Sequence, residues 1–244
     1  MRRCGRLATF NRGDLREMHV NVISKWLIPA LLLIAGGSVA FSAIAEEEQA
    51  VANSPVAMIE FCAAALAAQL EGRQDYFAQH NAELFDIVDE ILLPGFDVPY
   101  ASKLVLGREH WTAASLEQRE RFIETFYGFL VRTYSKGLIG FNQKNMSVTP
   151  EPSYSRDGSK ALVRTTIMLD GSGSVQINYA LLKTDDVWRI YDVRIDGVSY
   201  IQNYRSQFDA EISARGINAV IERLETEASA AEHVTTNEDG ADAA

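Results

Sequence analysis

The chain has few of the residues that carry covalent or metal chemistry. Its 244 residues include 2 cysteines and 4 histidines. Cys4 precedes a segment expected to be removed, so Cys62 stands alone and no intrachain disulfide remains available. Cys62 lies in the apolar stretch MIEFCAAALAAQL, where a buried, inert thiol is expected. His80, His110 and His233 have no metal-ligand spacing to another His or Cys. There is no G-x-S-x-G elbow, no Cys/His constellation and no glycine loop leading into a helix; Gly171-Ser172-Gly173 falls between two strand patterns and reads as a turn. No cofactor or metal is indicated. Positive charge is also scarce, with 23 Lys and Arg against 33 Asp and Glu. Without a basic stripe, nucleic acid is excluded as a partner, and anionic membrane surfaces repel the chain.

The longest apolar run is WLIPALLLIAGGSVAF, Trp26 to Phe41. Lys25 precedes it, and Ala43-Ile44-Ala45 and three glutamates follow. A basic flank, an apolar run and an A-x-A site make up an export signal. An uncleaved anchor is the alternative, because the run approaches bilayer-spanning length; Pro29, Gly36-Gly37 and the A-x-A triplet favour cleavage. No cysteine follows closely, so no lipid anchor is indicated. Met1 and Met18 are both candidate starts. Cleavage after Ala45 removes six basic and two acidic residues, leaving 199 residues with 17 basic and 31 acidic, a net of −14.

Residues 1–45 are therefore read as extension and signal, 46–53 as a flexible leader, 54–226 as the folded domain and 227–244 as a disordered acidic tail. Ser54-Pro55 opens a helix to about Glu71. A second helix spans about Ala82 to Leu92 and ends at Pro94-Gly95; a short one runs from Val98 to near Gly107. Ser115 and Gln118 fit a capping box for a long helix. Its stripe is Phe122, Ile123, Phe126, Phe129, Leu130, Thr133, Tyr134 and Leu138. After Phe141 the period changes from helical to alternating. Strands are predicted at Met146–Val148, Ala161–Leu169, Val175–Leu182 and Val187–Ile195, with turns at Asp170–Gly173 and Asp185-Asp186. Helices return over Val198–Ser213 and Ile217 to about Glu225. The class is α+β: an antiparallel sheet of about four strands wrapped by helices, an arrangement able to leave an apolar pocket between its layers.

Two features carry alternative readings. Asp192, Arg194 and Asp196 alternate on the last strand as a −/+/− row, with Arg205 a further candidate partner. The row is either a charged docking or headgroup site or a structural ion-pair network, and spacing favours the network. The aromatic stripe of the long helix is either solid core or the lining of an apolar cavity; spacing alone favours core.

Several segments in register resemble one family. IVDEILLPGFDVPYASKLVLG (Ile87 to Gly107), WTAAS (Trp111 to Ser115) with EQRERFIETFYGFLVRTYSKGL, WRIYDVRIDGVSYIQNYRSQF (Trp188 to Phe208) and GINAVIERL (Gly216 to Leu224) are similar to the MlaC, or toluene-tolerance, family. The likeness covers most of 54–226. It implies an NTF2-like fold whose apolar pocket holds phospholipid acyl chains, in a non-enzymatic, monomeric carrier of the periplasm. The implied partners are an inner-membrane ABC transporter complex and an outer-membrane lipoprotein complex. A hopanoid-linked branch of the family also exists. Carried over as segments, the implied lipid-binding residues are Leu104, Val105, Phe129, Tyr134, Ile167, Ile177, Tyr179, Val193 and Ile195. From a different class, an NTF2-like isomerase or dehydratase would use Asp192 or Asp196 as its base. Such a base needs an apolar site and a raised pKa, and Arg194 between the two works against that. An adaptor with no ligand is a third reading.

Overall fold

The computed structural model of the protein describes residues 54–169 and 173–233, with side chains to 229. The expected signal and leader, the hairpin tip 170–172 and residues 234–244 lie outside the described residues. Among the described residues no helix is long and apolar enough to cross a membrane.

Five helices come first. Helix α1, Pro55–Leu70, starts where Ser54 accepts a hydrogen bond from the Ala57 N–H at 3.2 Å, with Pro55 at its first position. Helix α2, Gln74–Gln79, has no counterpart among the predicted elements; six residues are too few to show a period. Helix α3 is Asn81–Leu92, ending in a 3₁₀ turn over Leu93–Gly95. Helix α4, Val98–Ala113, continues six residues beyond the expected stop. Gly107 takes φ 68 there, which kinks the helix without ending it. Helix α5, Leu116–Leu138, has both halves of the capping box: Gln118 N–H to Ser115 Oγ at 3.1 Å, and Ser115 N–H to Gln118 Oε1 at 3.0 Å. Such a cap is worth about 1 kcal/mol.

The sheet follows, all antiparallel. It comprises β1 (Met146–Val148), β2 (Ser153–Tyr154), β3 (Lys160–Met168), β4 (Ser174–Thr184), β5 (Val187–Ile195) and β6 (Val198–Ser199). The order is β1-β3-β4-β5-β6, with β2 also pairing to β3. The four predicted strands are present; β2 and β6, two residues each, lie below the length at which alternation can be seen. Leu169 N–H donates to the Gly173 carbonyl at 3.2 Å across the β3–β4 hairpin. Asp185 and Asp186 close the next hairpin with φ of 51 and 63, the left-handed pair a two-residue turn requires. Helix α6, Tyr200–Arg215, and helix α7, Ile217–His233, complete the chain. The sequence pattern predicts an end to α7 near Glu225. Residues 227–233 of the expected disordered tail are instead helical, because Ala and Glu sustain a helix without an apolar stripe.

Three apolar clusters hold the fold. One joins α4, α5, α6 and α7 through Trp111, Phe122, Phe126, Phe208, Val220 and Leu224. A second joins α1, α2, α3 and α5 through Leu66, Leu70, Phe77, Leu84 and Val131. The third packs Met58 and Ile59 of α1 on Ala161, Val163, Leu181, Trp188 and Ile190 of the sheet. Helices α5 and α7 pack on each other and on neighbouring helices, while α1, α4 and α6 carry the contacts to the sheet. Among the described residues the main helical contacts to the sheet thus come from α1, α4 and α6.

Candidate functional site

Strand register decides which side chains share a face. Across β3 and β4, Ala161, Val163, Thr165 and Ile167 stand opposite Leu181, Tyr179, Ile177 and Val175. Beyond β3, Met146 pairs with Ile167 and Val148 with Thr165. Across β4 and β5, Ile177 pairs with Ile195 and Tyr179 with Val193, but Leu181 pairs with Ile190 and Lys183 with Trp188. Tyr191 is the extra residue of a β-bulge, so odd-numbered Val193 and Ile195 share a face with even-numbered Ile190 and Trp188. The result is one continuous apolar face. A strict alternation read from the sequence could not show it.

The two ends of that face differ in burial. Ala161, Val163, Leu181, Trp188 and Ile190 are buried beneath Met58 and Ile59. Toward the other end, Ile167, Val175, Ile177, Tyr179, Val193 and Ile195 are only half-buried. Thr165 is buried between them and donates its Oγ1 hydrogen to the Ile177 carbonyl at 2.8 Å. Ile177 sits on the central strand, flanked on both sides, so its partial exposure means that its side chain is not fully sealed by the layer packed on this face. Val198 pairs with Ile195 at the sheet edge and is 59% exposed. Burial pushes the Tyr179 phenol up to about 12, with the Thr165 hydrogen bond opposing. This end of the face is thus apolar and uncharged at neutral pH.

Five of the nine predicted residues, Ile167, Ile177, Tyr179, Val193 and Ile195, are gathered on this face. Phe129 and Tyr134 lie on α5, in an aromatic group with α6. The Phe129 ring stands edge-on to Tyr204 at 5.8 Å, and the Tyr134 ring edge-on to Tyr200 at 5.2 Å. Leu104 is half-buried on α4, whereas Val105 is buried in the helical cluster with Trp111 and Phe122. Val105 thus supports the helical layer from inside. Sequence reasoning missed Tyr200 and Tyr204 as site candidates, although both stand in the YIQNYR segment.

The charged row resolves into structure. Asp192 pairs with Ala180, on the face opposite to Ile177. Its buried carboxylate accepts hydrogen bonds from Ser199 Oγ at 2.8 Å, Ile201 N–H at 3.2 Å and Arg194 Nε at 3.3 Å. Ser199 in turn caps α6 by accepting from Gln202 N–H at 3.1 Å. Asp196 is not on the strand but in the β5–β6 turn, at φ 47, where it accepts from Gln176 N–H. Neither carboxylate faces the apolar site, so neither is placed as a base within it. Arg205 does not join the row; its guanidinium lies over Gly107, within about 3 Å of where a Cβ would stand. Among the described residues no three His, Cys, Asp or Glu side chains form a metal-holding group. A cleft of about 300 Å³ lined by Ser115, Glu117, Gln118, Arg121 and Asn218 lies at the start of α5. A neighbouring one of about 380 Å³ adds His110 and Arg215. Neither contains a predicted residue; the first has a polar lining and the second a mixed one.

Residues 62–226 match the MlaC protein family. The chain belongs to the MlaC family. Within it, the chain is 23% identical over 214 residues to a Haemophilus influenzae protein named an intermembrane phospholipid transport system binding protein, covering 87% of this chain and 97% of that one. It is also 23% identical over 165 residues to a Pseudomonas putida toluene tolerance protein, covering 68% and 76%. A solved phospholipid-binding protein from Ralstonia solanacearum, in complex with a phospholipid, superposes with a TM-score of 0.64 at 24% identity, covering 72% of this MlaC-family chain and 98% of its own. That likeness carries the fold. The α+β expectation and the family resemblance hold.

Proposed function

We propose that this chain is a non-enzymatic carrier that holds phospholipid acyl chains over the open end of its sheet face. The observation that carries the reading is the half-buried central-strand residue Ile177, apolar, flanked on both sides and not fully sealed from above. Ile167, Tyr179, Val193 and Ile195 form the floor; Leu104 and Phe129 belong to the helical wall that Val105 backs, and Tyr134 stands at its exposed edge. The relatives named for phospholipid transport and binding support this assignment.

The physical need is clear. Each methylene moved into water costs about 0.8 kcal/mol, so a lipid with about 30 of them forfeits on the order of 24 kcal/mol, an upper figure. A carrier must match the bilayer's apolarity, and no bond need be made or broken. We place it in the periplasm, released by cleavage after Ala45 and acting as a monomer between an inner-membrane ABC transporter complex and an outer-membrane lipoprotein complex. The export signal and the family relatives support that placement. Native mass spectrometry of the protein purified without detergent tests the function. Copurified phospholipid is the expected result; protein that carries no lipid, and takes none up from phospholipid vesicles, overturns it.

A further inference from the structure

Rows of paired residues cross the apolar face, and their burial changes from one row to the next. Ala161, Leu181 and Ile190 form a row in which every side chain is buried, in one cluster with Met58 and Ile59 of α1. In the next row Val163 is buried, whereas Tyr179 and Val193 are half-buried. Then come Thr165, Ile177 and Ile195, and after them Ile167 and Val175; of these five only Thr165 is buried. At the hairpin Leu169 is 50% exposed. Tyr179 thus stands in the boundary row between the sealed end and the open one. Its side chain is the largest in that row and in the rows on either side.

The ring also reaches toward the helix. Tyr179 and Cys62 pack against the same buried cluster. Burial raises the Tyr179 phenol most; the Thr165 side chain opposes, and the Cys62 sulfur of α1 adds to the rise. The phenol is therefore within electrostatic reach of both β3 and α1. An acyl chain lying on the face from its exposed end meets this ring first and the sealed row behind it. Each methylene that finds apolar cover is worth about fourfold in affinity, and one that finds none forfeits the same factor.

We propose that the Tyr179 ring is the inner stop of the acyl-chain site and sets the chain length that the carrier prefers. This rests on the carrier reading above. In the test, purified, delipidated protein is incubated with vesicles holding equal amounts of dilauroyl, dimyristoyl, dipalmitoyl and distearoyl phosphatidylcholine, and the bound species are read by native mass spectrometry. Comparing variants with native protein on one mixture cancels differences in how readily each lipid leaves the vesicle. Tyr179→Ala should raise the ratio of longest to shortest bound lipid by about tenfold, the worth of about two further methylenes. Tyr179→Leu should shift it the same way by less, and it carries the test where the alanine variant does not fold. Tyr179→Phe keeps the ring and should keep the native profile. An unchanged ratio in the alanine and leucine variants overturns the inference, as does an equal fall in every species, which would leave Tyr179 a packing residue only. A shift in Tyr179→Phe as large as that in Tyr179→Ala assigns the effect to the hydroxyl and overturns it too. Native protein that takes up none of the four lipids defeats the carrier reading itself, a result distinct from the others.

Discussion

Leu181 and Ile177 stand on the same strand and the same face, four residues apart. Leu181 is fully buried, whereas Ile177 is half-buried. Both are apolar, and both are flanked by β3 and β5. The difference lies in what covers them. Met58 and Ile59 of α1 pack over Leu181, Val163 and Ile190. Ile177 lies outside the three buried clusters, and among the described residues α5 and α7 pack chiefly on each other and on α3, α4 and α6. One strand thus contributes both a core residue and a proposed site residue. Inward-facing apolar side chains mark a floor, and only the next layer decides whether it is floor or core.

The largest effect that separates the two ends is loss of packing. Leu181→Ala removes fully enclosed methyls and should cost about 2–5 kcal/mol. In a domain of this size that lowers Tm by on the order of 10 °C. Ile177→Ala in delipidated protein should cost only about 1 kcal/mol, because the side chain is already partly unpacked. Equal costs in thermal melts would mean that Ile177 is core and that the face has no open end.

Local features were legible in the residues. The switch from helical to alternating period after Phe141, the Ser115–Gln118 box and the Asp185-Asp186 turn each rest on neighbours in sequence, and the structure contains all three. The bulge at Tyr191 was not legible, since nothing in WRIYDVRI marks the extra residue. The charged row was half-legible: Asp192 and Arg194 do share a face and bond each other, but the strand ends before Asp196. In the structure Asp192 anchors the start of α6 and Asp196 turns the chain. The kink at Gly107 was half-seen: glycine marked the place, but only packing against Arg205 and the helices beyond lets the helix resume. Five of the nine predicted residues fall on one face because β3, β4 and the end of β5 beyond the bulge alternate faithfully. The contributions of α4, α5 and α6 depended on contacts between elements distant in sequence.

A second, smaller effect tests the space directly. Ile177→Trp adds a ring above the central strand. In a filled core that costs about 1–3 kcal/mol through strain. Over an open floor the delipidated variant should stay within about 1 kcal/mol of the native protein while copurified lipid falls several-fold. Delipidation matters, because bound ligand raises apparent stability by mass action. A variant that melts early yet carries its full lipid load would move the pocket elsewhere.

The smallest effect on stability, and the sharpest on accessibility, uses thiol chemistry. Cys62 lies on α1 at the covered end, and burial pushes its thiol from 9.0 up to about 11. At pH 8 that leaves roughly a hundredfold less thiolate than an ordinary cysteine, and the thiolate is the reactive species. Iodoacetamide should therefore label native Cys62 very slowly and label it readily in denaturant. The sign of the linkage follows. The folded state holds the proton more tightly than the unfolded one, so this thiol's contribution to stability is complete below about pH 9 and declines as pH rises toward about 11. Ile177→Cys places a second thiol at the open end, where it should be alkylated far faster than Cys62 in delipidated protein and slow again once phospholipid is restored. Equal slowness of both thiols without lipid would show that the two ends are sealed alike. Fast labelling of the introduced thiol that lipid does not slow would leave the face open but place the acyl chains elsewhere.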